Sequence, residues 1–167
     1  TRPRVAWSPP MREGVSPSRV AVSGGPWPTV LAFLQAHPLV RHIQHVAHPS
    51  HPDHGHATRY LRAGRIPGLL SFELHGGRAS AQRFYDALQL FQRLVNIGDS
   101  KSLAAIPAET THHLLTDAEL ARAGIAPGLV RLSIGIEHPD DLLSDLRQAL
   151  SYQPAPVAAS PSLQESL

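Results

Sequence analysis

The chain has 167 residues, enough for one ordinary domain, and 15 Lys and Arg against 13 Asp and Glu give it a formal charge of +2. This balance argues against a nucleic-acid partner, because nucleic-acid-binding domains carry a clustered basic face. The sequence has no cysteine, a single lysine (Lys101) and no stretch near the ~18 apolar residues of a membrane span, so we expect no disulfide, no thiolate metal site and no membrane partner, and a soluble, cytoplasmic protein.

Proline separates two irregular ends from a regular middle. Residues 1–28 contain six prolines and no helical or strand period, so we expect a disordered or non-homologous N-terminal segment. Residues 151–167 carry further prolines among Ala and Ser and are predicted to form a flexible tail. The structured domain is therefore predicted to span residues 29–150.

The first half of this domain alternates helical and strand patterns. Thr29 is a suitable N-cap for a first helix that ends before Pro38. The patterns predict a helix, a strand, a histidine-rich loop, one or two helical turns and a second strand, over residues 29–37, 39–46, 48–56, 57–63 and 68–74.

The second half begins with a long amphipathic pattern, in which apolar residues recur every three or four positions from 78 to 95. Thr116 and Glu119 have the spacing of a capping box, and Pro139 suits the first turn of a last helix. The predicted elements are a long helix, a short strand, a short helix, a strand and a last helix, over residues 78–95, 102–106, 117–123, 129–136 and 139–150. Together they predict an α+β domain with a mostly antiparallel sheet and helices on one face.

Arg131 is the most informative candidate for chemistry. It shares a face of the predicted strand 129–136 with Ser133 and Gly135, and small neighbours leave room for a ligand beside a guanidinium. An arginine offers a rigid fork of donors that matches a carboxylate. The alternative is an arginine on a solvated face, paired with a nearby acid.

Two loops offer further polar candidates. Asn96 follows the predicted long helix and could donate to a ligand, although it could equally end that helix. Residues 107–112, which include Thr111 and His112, form a hydroxyl-rich loop after a strand. Such loops hold substrates, but they also satisfy their own backbone.

The histidine-rich loop raises the question of a metal. Four histidines lie within 48–56, and neutral imidazole is a common ligand of zinc and nickel. Prolines interrupt the spacing, so the pattern favours adventitious nickel binding over a physiological metal site, and we assign no metal ligands.

Six segments, in order, resemble the C-terminal part of the Cys/Met-metabolism enzymes that use pyridoxal phosphate. They are His37-Pro-Leu-Val40, His48-Pro-Ser-His51, Leu70 to Leu74 with Gly76-Gly77, Asn96 to Leu103, Pro107 to His112, and Gly128 to Glu137. Asn96-Ile-Gly-Asp99 and Ile136-Glu-His-Pro-Asp-Asp141 are most similar to the O-acetylhomoserine sulfhydrylases of that family.

The resemblance implies the small C-terminal domain of a fold-type-I pyridoxal-phosphate enzyme. It implies that Arg131 binds the carboxylate of an amino-acid substrate, that Asn96 reaches the same region and that Thr111 and His112 lie near it. It further implies a homotetramer, and a reaction in which O-acetylhomoserine loses acetate and gains sulfide or a thiol, giving homocysteine or methionine.

The departure from the family lies upstream. The lysine and the phosphate-binding loop that hold the cofactor belong to a larger preceding domain in the family, whereas residues 1–28 match nothing there. Lys101 precedes a strand and is not the imine lysine. We therefore expect an incomplete fragment, from a truncated or frame-disrupted gene or a wrongly assigned start, that is inactive alone, has no catalytic or cofactor-binding residues and does not bind pyridoxal phosphate by itself. The alternatives are a non-catalytic interaction module and a His-rich metal-binding protein.

Overall fold

The computed structural model describes residues 25–61, 66–97 and 99–152. The elements of these residues, in chain order, are α1 (Trp27–Ala36), β1 (Val40–Gln44), α2 (His54–Tyr60), β2 (Leu69–Leu74), α3 (Gly77–Ala87), β3 (Gln92–Arg93), β4 (Leu103–Ala105), α4 (Asp117–Arg122), β5 (Leu129–Ser133) and α5 (Pro139–Ser151). Most of residues 1–28 and of the tail 151–167 lie outside the described residues.

One five-stranded sheet organises the domain, with the strand order β1-β2-β5-β4-β3. Every pairing is antiparallel except that of β3 with β4, which is parallel. The predicted α+β class with a mostly antiparallel sheet is confirmed. The two-residue β3, at one edge, is the strand that the sequence patterns do not predict.

Helices cover one face of the sheet, as expected. The alternation of β2 and β5 buries Leu70, Phe72, Val130 and Leu132 on that face, each at most 1% exposed. Helix α3 packs on β2 and β5, α1 packs on β1, and α5 contacts both α1 and α3. Phe84 of α3 meets Phe72 edge to face, with ring centroids 5.5 Å apart. The side chains of the opposite alternation, Arg131 among them, lie on the other face.

The predicted long helix 78–95 is wrong in its second half. Helix α3 ends at Ala87, although Leu88 and Phe91 of the same apolar stripe are still buried. The backbone N–H groups of residues 89–91 donate to the buried carboxylate of Asp145 on α5 instead of to helical carbonyls. A tertiary contact thus ends the helix, and the apolar period continues in an extended segment.

Two further boundaries differ from the prediction. Helix α1 begins at Trp27 with Pro28 in its first turn, so Thr29 is not its N-cap. Proline is tolerated in the first turn because its missing N–H would be unpaired there. Strand β5 ends at Ser133, and Ile136, expected on the buried face, is 59% exposed. The capping box of Thr116 and Glu119 and the start of α5 at Pro139 are confirmed.

Candidate functional site

The register of three strands places Arg131 in the middle of the face that the helices leave uncovered. Arg131 lies opposite Ser71 of β2 on one side and Ala105 of β4 on the other. These two small side chains are its cross-strand neighbours, so neither of them is large enough to cover a guanidinium. The sequence pattern predicted the correct face for Arg131, away from Val130 and Leu132.

The guanidinium of Arg131 is held by backbone carbonyls. Its Nη2 donates to the carbonyl of Val95 at 2.6 Å and to that of Asn96 at 3.4 Å. Its Nε is buried and has no hydrogen-bond partner. Among the residues that the structure describes, no carboxylate lies within ion-pair distance of Arg131.

This arrangement differs from that of a solvated surface arginine. A buried donor without a partner costs about 1–3 kcal/mol, and more when the group is charged. Surface arginines recover little from ion pairs but keep their donors in water. Arg131 has a fixed orientation, a buried unpaired donor and no neutralising acid among the described residues, so an anion is the ligand that its surroundings favour.

Asn96 lies beside Arg131, but not for the reason that the sequence suggested. It follows β3 rather than the end of the long helix, and its backbone carbonyl, not its amide, contacts the guanidinium. Residue Asn96 is exposed to solvent. The structure therefore brings the backbone of Asn96 to Arg131 and leaves residue 96 exposed.

Thr111 and His112 belong to the loop that follows β4, whose last residue, Ala105, lies opposite Arg131. The Thr111 hydroxyl and His112 Nδ1 are 2.8 Å apart, and His112 N–H donates to the carbonyl of Pro107. Of the hydrogen bonds within the described ranges, none joins this pair to Arg131. The strand pairing brings the start of this loop next to Arg131, and the convergence of Thr111 and His112 on Arg131 stays a prediction.

Arg78 fastens this loop to the start of α3. Its guanidinium pairs with Glu109 and, at 2.8 Å, with Asp117. The hydrogen bond and charge of Glu109 raise the pKa of Arg78 above its ordinary value. The pairs are exposed to water, so each contributes little to stability, but together they limit the positions that the loop can take.

The expected open space beside Ser133 and Gly135 is occupied. Ser133 is 4% exposed, and a Cβ on Gly135 would lie 2.6 Å from both Glu137 Oε2 and the carbonyl carbon of Lys101. The turn before β4 and the segment after β5 fill this volume. The small neighbours that leave Arg131 uncovered are those across the strands, which a single-strand pattern cannot identify.

A polar cluster that the sequence patterns missed ties these two segments together. Ser102 is fully buried, and its N–H and hydroxyl donate to the two oxygens of Glu137 at 2.7 and 2.8 Å. Its hydroxyl also accepts the N–H of Gly135 at 2.8 Å. The residues are 35 positions apart, so no local spacing signals the contact.

The histidine-rich loop makes local contacts. Within the described ranges, no group of three or more His, Cys, Asp or Glu side chains is placed to hold a metal ion. His45 is 3% exposed, and its ring packs at a tilt against Trp27, with ring centroids 4.8 Å apart. Its Nδ1 accepts the N–H of Ala47, so its Nε2 carries the proton that it donates to the carbonyl of Pro67. Burial lowers the pKa of His45 below its ordinary value.

The described residues do not fit a covalently attached pyridoxal phosphate. Lys101 is exposed in the turn before β4, where its N–H donates to Asp99. A groove at the ends of α3 and α5, lined by residues such as Leu39, His75 and Tyr152, lies on the helical side of the sheet. Neither feature offers an enclosed lysine that could hold the cofactor.

Comparison with known proteins identifies related sequences. The family model described as Cys/Met metabolism PLP-dependent enzyme matches residues 28–151. The O-acetyl-L-homoserine sulfhydrylase of Leptospira meyeri is 44% identical over 121 residues, which cover 72% of this chain and 27% of that protein. The L-methionine gamma-lyase of Pseudomonas deceptionensis is 44% identical over 122 residues, 72% of this chain and 30% of that protein. The chain thus spans less than a third of these curated relatives.

Solved structures show the same relationship. A proposed O-acetylhomoserine (thiol)-lyase from Campylobacter jejuni, solved with N'-pyridoxyl-lysine-5'-monophosphate, aligns with a TM-score of 0.74 and 38% identity, over 81% of this chain and 32% of that one. A cystathionine gamma synthase from Xanthomonas oryzae, solved with cystathionine, aligns with a TM-score of 0.72 and 39% identity, over 80% of this chain and 34% of that one. None of the described helices is both long enough and apolar enough to cross a membrane.

Proposed function

Because the chain belongs to the Cys/Met metabolism PLP-dependent enzyme family, we propose that its domain binds the α-carboxylate of an amino-acid substrate, with Arg131 as the main donor. The observation that carries the proposal is the state of the guanidinium: a buried, unpartnered Nε and no carboxylate paired with it among the described residues. A substrate carboxylate supplies the missing negative charge.

The fixed orientation of Arg131 makes it selective for a planar anion. The carbonyls of Val95 and Asn96 hold Nη2 from one side. The remaining N–H groups then point in directions that the protein sets before the ligand arrives, so less side-chain entropy is lost on binding. A lysine at the same position would keep the charge but lose the planar fork of donors.

Three further residues are proposed to complete the carboxylate region. Asn96 is exposed beside the guanidinium, which supports contact of its amide with the amino-acid substrate. Thr111 and His112 lie in the loop that leaves β4 next to Arg131, and the Arg78 ion pairs restrain that loop. Their proposed role is to border the ligand rather than to bind the carboxylate.

We propose O-acetylhomoserine sulfhydrylation as the activity of the complete enzyme to which this domain corresponds. Sulfhydrylases of Leptospira meyeri, Thermus thermophilus and Corynebacterium glutamicum are 44–51% identical to parts of the chain, and L-methionine gamma-lyases of two Pseudomonas species are 44–54% identical. The choice of sulfhydrylation over methionine γ-lysis therefore rests on the resemblance of Asn96-Ile-Gly-Asp99 to the sulfhydrylases. A homotetramer and a cytoplasmic location are proposed on the same basis. We propose that the 167 residues are inactive alone, because their single lysine is exposed and does not lie in an enclosed site that could hold the cofactor.

Titration followed by NMR tests the carboxylate role on this chain. With ¹⁵N labelling, the Nε–H signal of Arg131, identified by its loss in Arg131→Lys, should shift on addition of O-acetyl-L-homoserine. A contact of about 1.5–3 kcal/mol implies binding weaker than about 1 mM, so the titration must reach tens of mM. The corresponding amino alcohol, which lacks the carboxylate, should leave the signal unmoved. Equal shifts with both compounds, or none with either, would refute the proposal.

A further inference from the structure

We propose that Asp145, on α5, is a positioning residue for Arg131, an inference that rests on the proposed carboxylate-binding function. Asp145 is 5% exposed, and both oxygens of its carboxylate accept hydrogen bonds. Oδ1 accepts the N–H of Gln89 at 2.9 Å, and Oδ2 accepts those of Leu90 and Phe91 at 2.8 and 3.1 Å. The side chain of Gln148 donates to Oδ1 at 2.9 Å.

Asp145 is an energetically unfavourable residue to bury among packed helices. Burying an ionised carboxylate is unfavourable unless strong hydrogen bonds satisfy it. Here the bonds come from three consecutive backbone donors of one segment, and no cation within the described ranges is paired with Asp145. The contact therefore fixes the backbone of residues 89–91 in a defined place relative to α5.

That backbone continues directly to Arg131. We define the crossing segment as residues 89–97, which runs from the end of α3 through β3 to the face that carries Arg131. Asp145 binds its first three residues, and the carbonyls of Val95 and Asn96 near its other end accept Nη2 of Arg131. Three residues lie between Phe91 and Val95, and two of them form the strand β3.

The sheet alone holds the crossing segment weakly. Strand β3 has two residues, pairs only with β4 among the described strands, and both of its residues are exposed. The side chain of Arg93 adds a second anchor through the carbonyls of Tyr85, Asp86 and Leu88 at the end of α3. Both anchors act on the same backbone, and among the hydrogen bonds of the described residues those of Asp145 connect it to a different helix, α5.

The consequence is that Asp145 sets where the two carbonyls that orient Arg131 lie. When the first residues of the crossing segment are released, Val95 and Asn96 move more freely, and the guanidinium loses its fixed direction. The side chain of Arg131 then samples more conformations and its Nε meets water more often. Asp145 thus acts on the carboxylate site through the backbone, without touching the ligand.

Exchange of the Arg131 Nε–H with solvent, measured by NMR on the full chain, tests this coupling. Asp145→Asn keeps the shape but removes the charge and one acceptor oxygen, so the exchange rate should rise about fivefold or more. Gln148→Ala removes one donor to Asp145 and should raise the rate less. Val30→Ala, a core change on α1 with a comparable loss of global stability, should change the rate by less than about twofold. The Arg131 signal should also change its chemical shift in Asp145→Asn and not in Val30→Ala.

The possible results separate this inference from the function on which it rests. If Asp145→Asn, or Gln148→Ala where Asp145→Asn does not fold, exchanges no faster than Val30→Ala, Asp145 does not position Arg131 and the inference is overturned. If exchange rises as expected while O-acetyl-L-homoserine does not move the wild-type Arg131 signal, the positioning is supported and the carboxylate function fails. If exchange rises and Asp145→Asn also weakens the response to O-acetyl-L-homoserine, both stand.

Discussion

Ser102 provides the sharpest stability test, because it is fully buried and each of its polar contacts is defined. Its hydroxyl donates to Glu137 and accepts from Gly135, each at 2.8 Å. Ser102→Ala removes the hydroxyl without changing the backbone. The N–H of Gly135 then has no partner in a place that water does not reach, and one oxygen of Glu137 loses its donor.

The cost follows from these two losses. A buried unsatisfied donor costs about 1–3 kcal/mol, and loss of a hydrogen bond to a charged acceptor costs a similar amount. We therefore expect Ser102→Ala to lower the free energy of unfolding by at least about 2 kcal/mol. Glu137→Gln should cost less, because an amide oxygen still accepts one N–H. The double variant should lose about 1 kcal/mol less than the sum, because both changes break the same contact.

Urea unfolding measures these free energies directly when the dependence of the free energy on urea concentration has the same slope in all variants. Ser100→Ala is the matched control: Ser100 is exposed, and within the described part of the chain its hydroxyl hydrogen-bonds Asp99 alone, so its change should stay within about 0.5 kcal/mol. If Ser102→Ala costs no more than Ser100→Ala, or if the double variant is fully additive, the cluster does not hold the two segments together as argued.

Three further predictions concern pH, the cofactor and packing. Burial lowers the pKa of His45, so the folded protein favours the neutral imidazole, and the stability is fully present above the unfolded pKa of about 6.5 and is lost as pH falls. The free energy of unfolding, measured between pH 7.5 and 5, should therefore depend less on pH in His45→Gln than in wild type or in the exposed control His42→Gln. Incubation of the chain with pyridoxal phosphate followed by borohydride should leave no stoichiometric pyridoxyl group on its single lysine by mass spectrometry, whereas such a group together with turnover of O-acetyl-L-homoserine would contradict the proposed inactivity. A Cβ on Gly128 would lie 2.7 Å from the Gly77 backbone, so Gly128→Ala should lower the free energy of unfolding by about 1–3 kcal/mol. Gly55→Ala is the control, because a Cβ on Gly55 would meet nothing within 4 Å, and it should not lower that free energy.

The sequence allowed prediction of the features that depend on local pattern. The alternation of β2 and β5 predicted their buried faces, and with them the side of the sheet on which Arg131 lies. The capping box at Thr116 and the proline at 139 predicted two helix starts, because these signals act within one turn.

Features that depend on distant contacts could not be predicted. The apolar period suggested a helix to Val95, but Asp145, more than 50 positions later, takes the backbone donors of residues 89–91 and ends it at Ala87. The unpaired donor of Arg131 and its small neighbours Ser71 and Ala105 follow from strand order, which a single strand does not encode. The resemblance suggested the carboxylate role of Arg131, and the contacts of its guanidinium supply a physical reason to propose it.

The most direct test of the central claim measures catalysis in a complete enzyme. Residues 28–151 would replace the matching part of the Leptospira meyeri O-acetyl-L-homoserine sulfhydrylase, and the chimera would be compared with its Arg131→Lys and Arg131→Ala variants and with Arg59→Lys, an exposed control on α2. We predict that Arg131→Lys lowers kcat/KM for O-acetyl-L-homoserine about tenfold to a hundredfold, that Arg131→Ala lowers it further, and that Arg59→Lys leaves it unchanged. An Arg131→Ala chimera with the kcat/KM of the unmodified chimera would contradict the assignment of Arg131 to the substrate carboxylate.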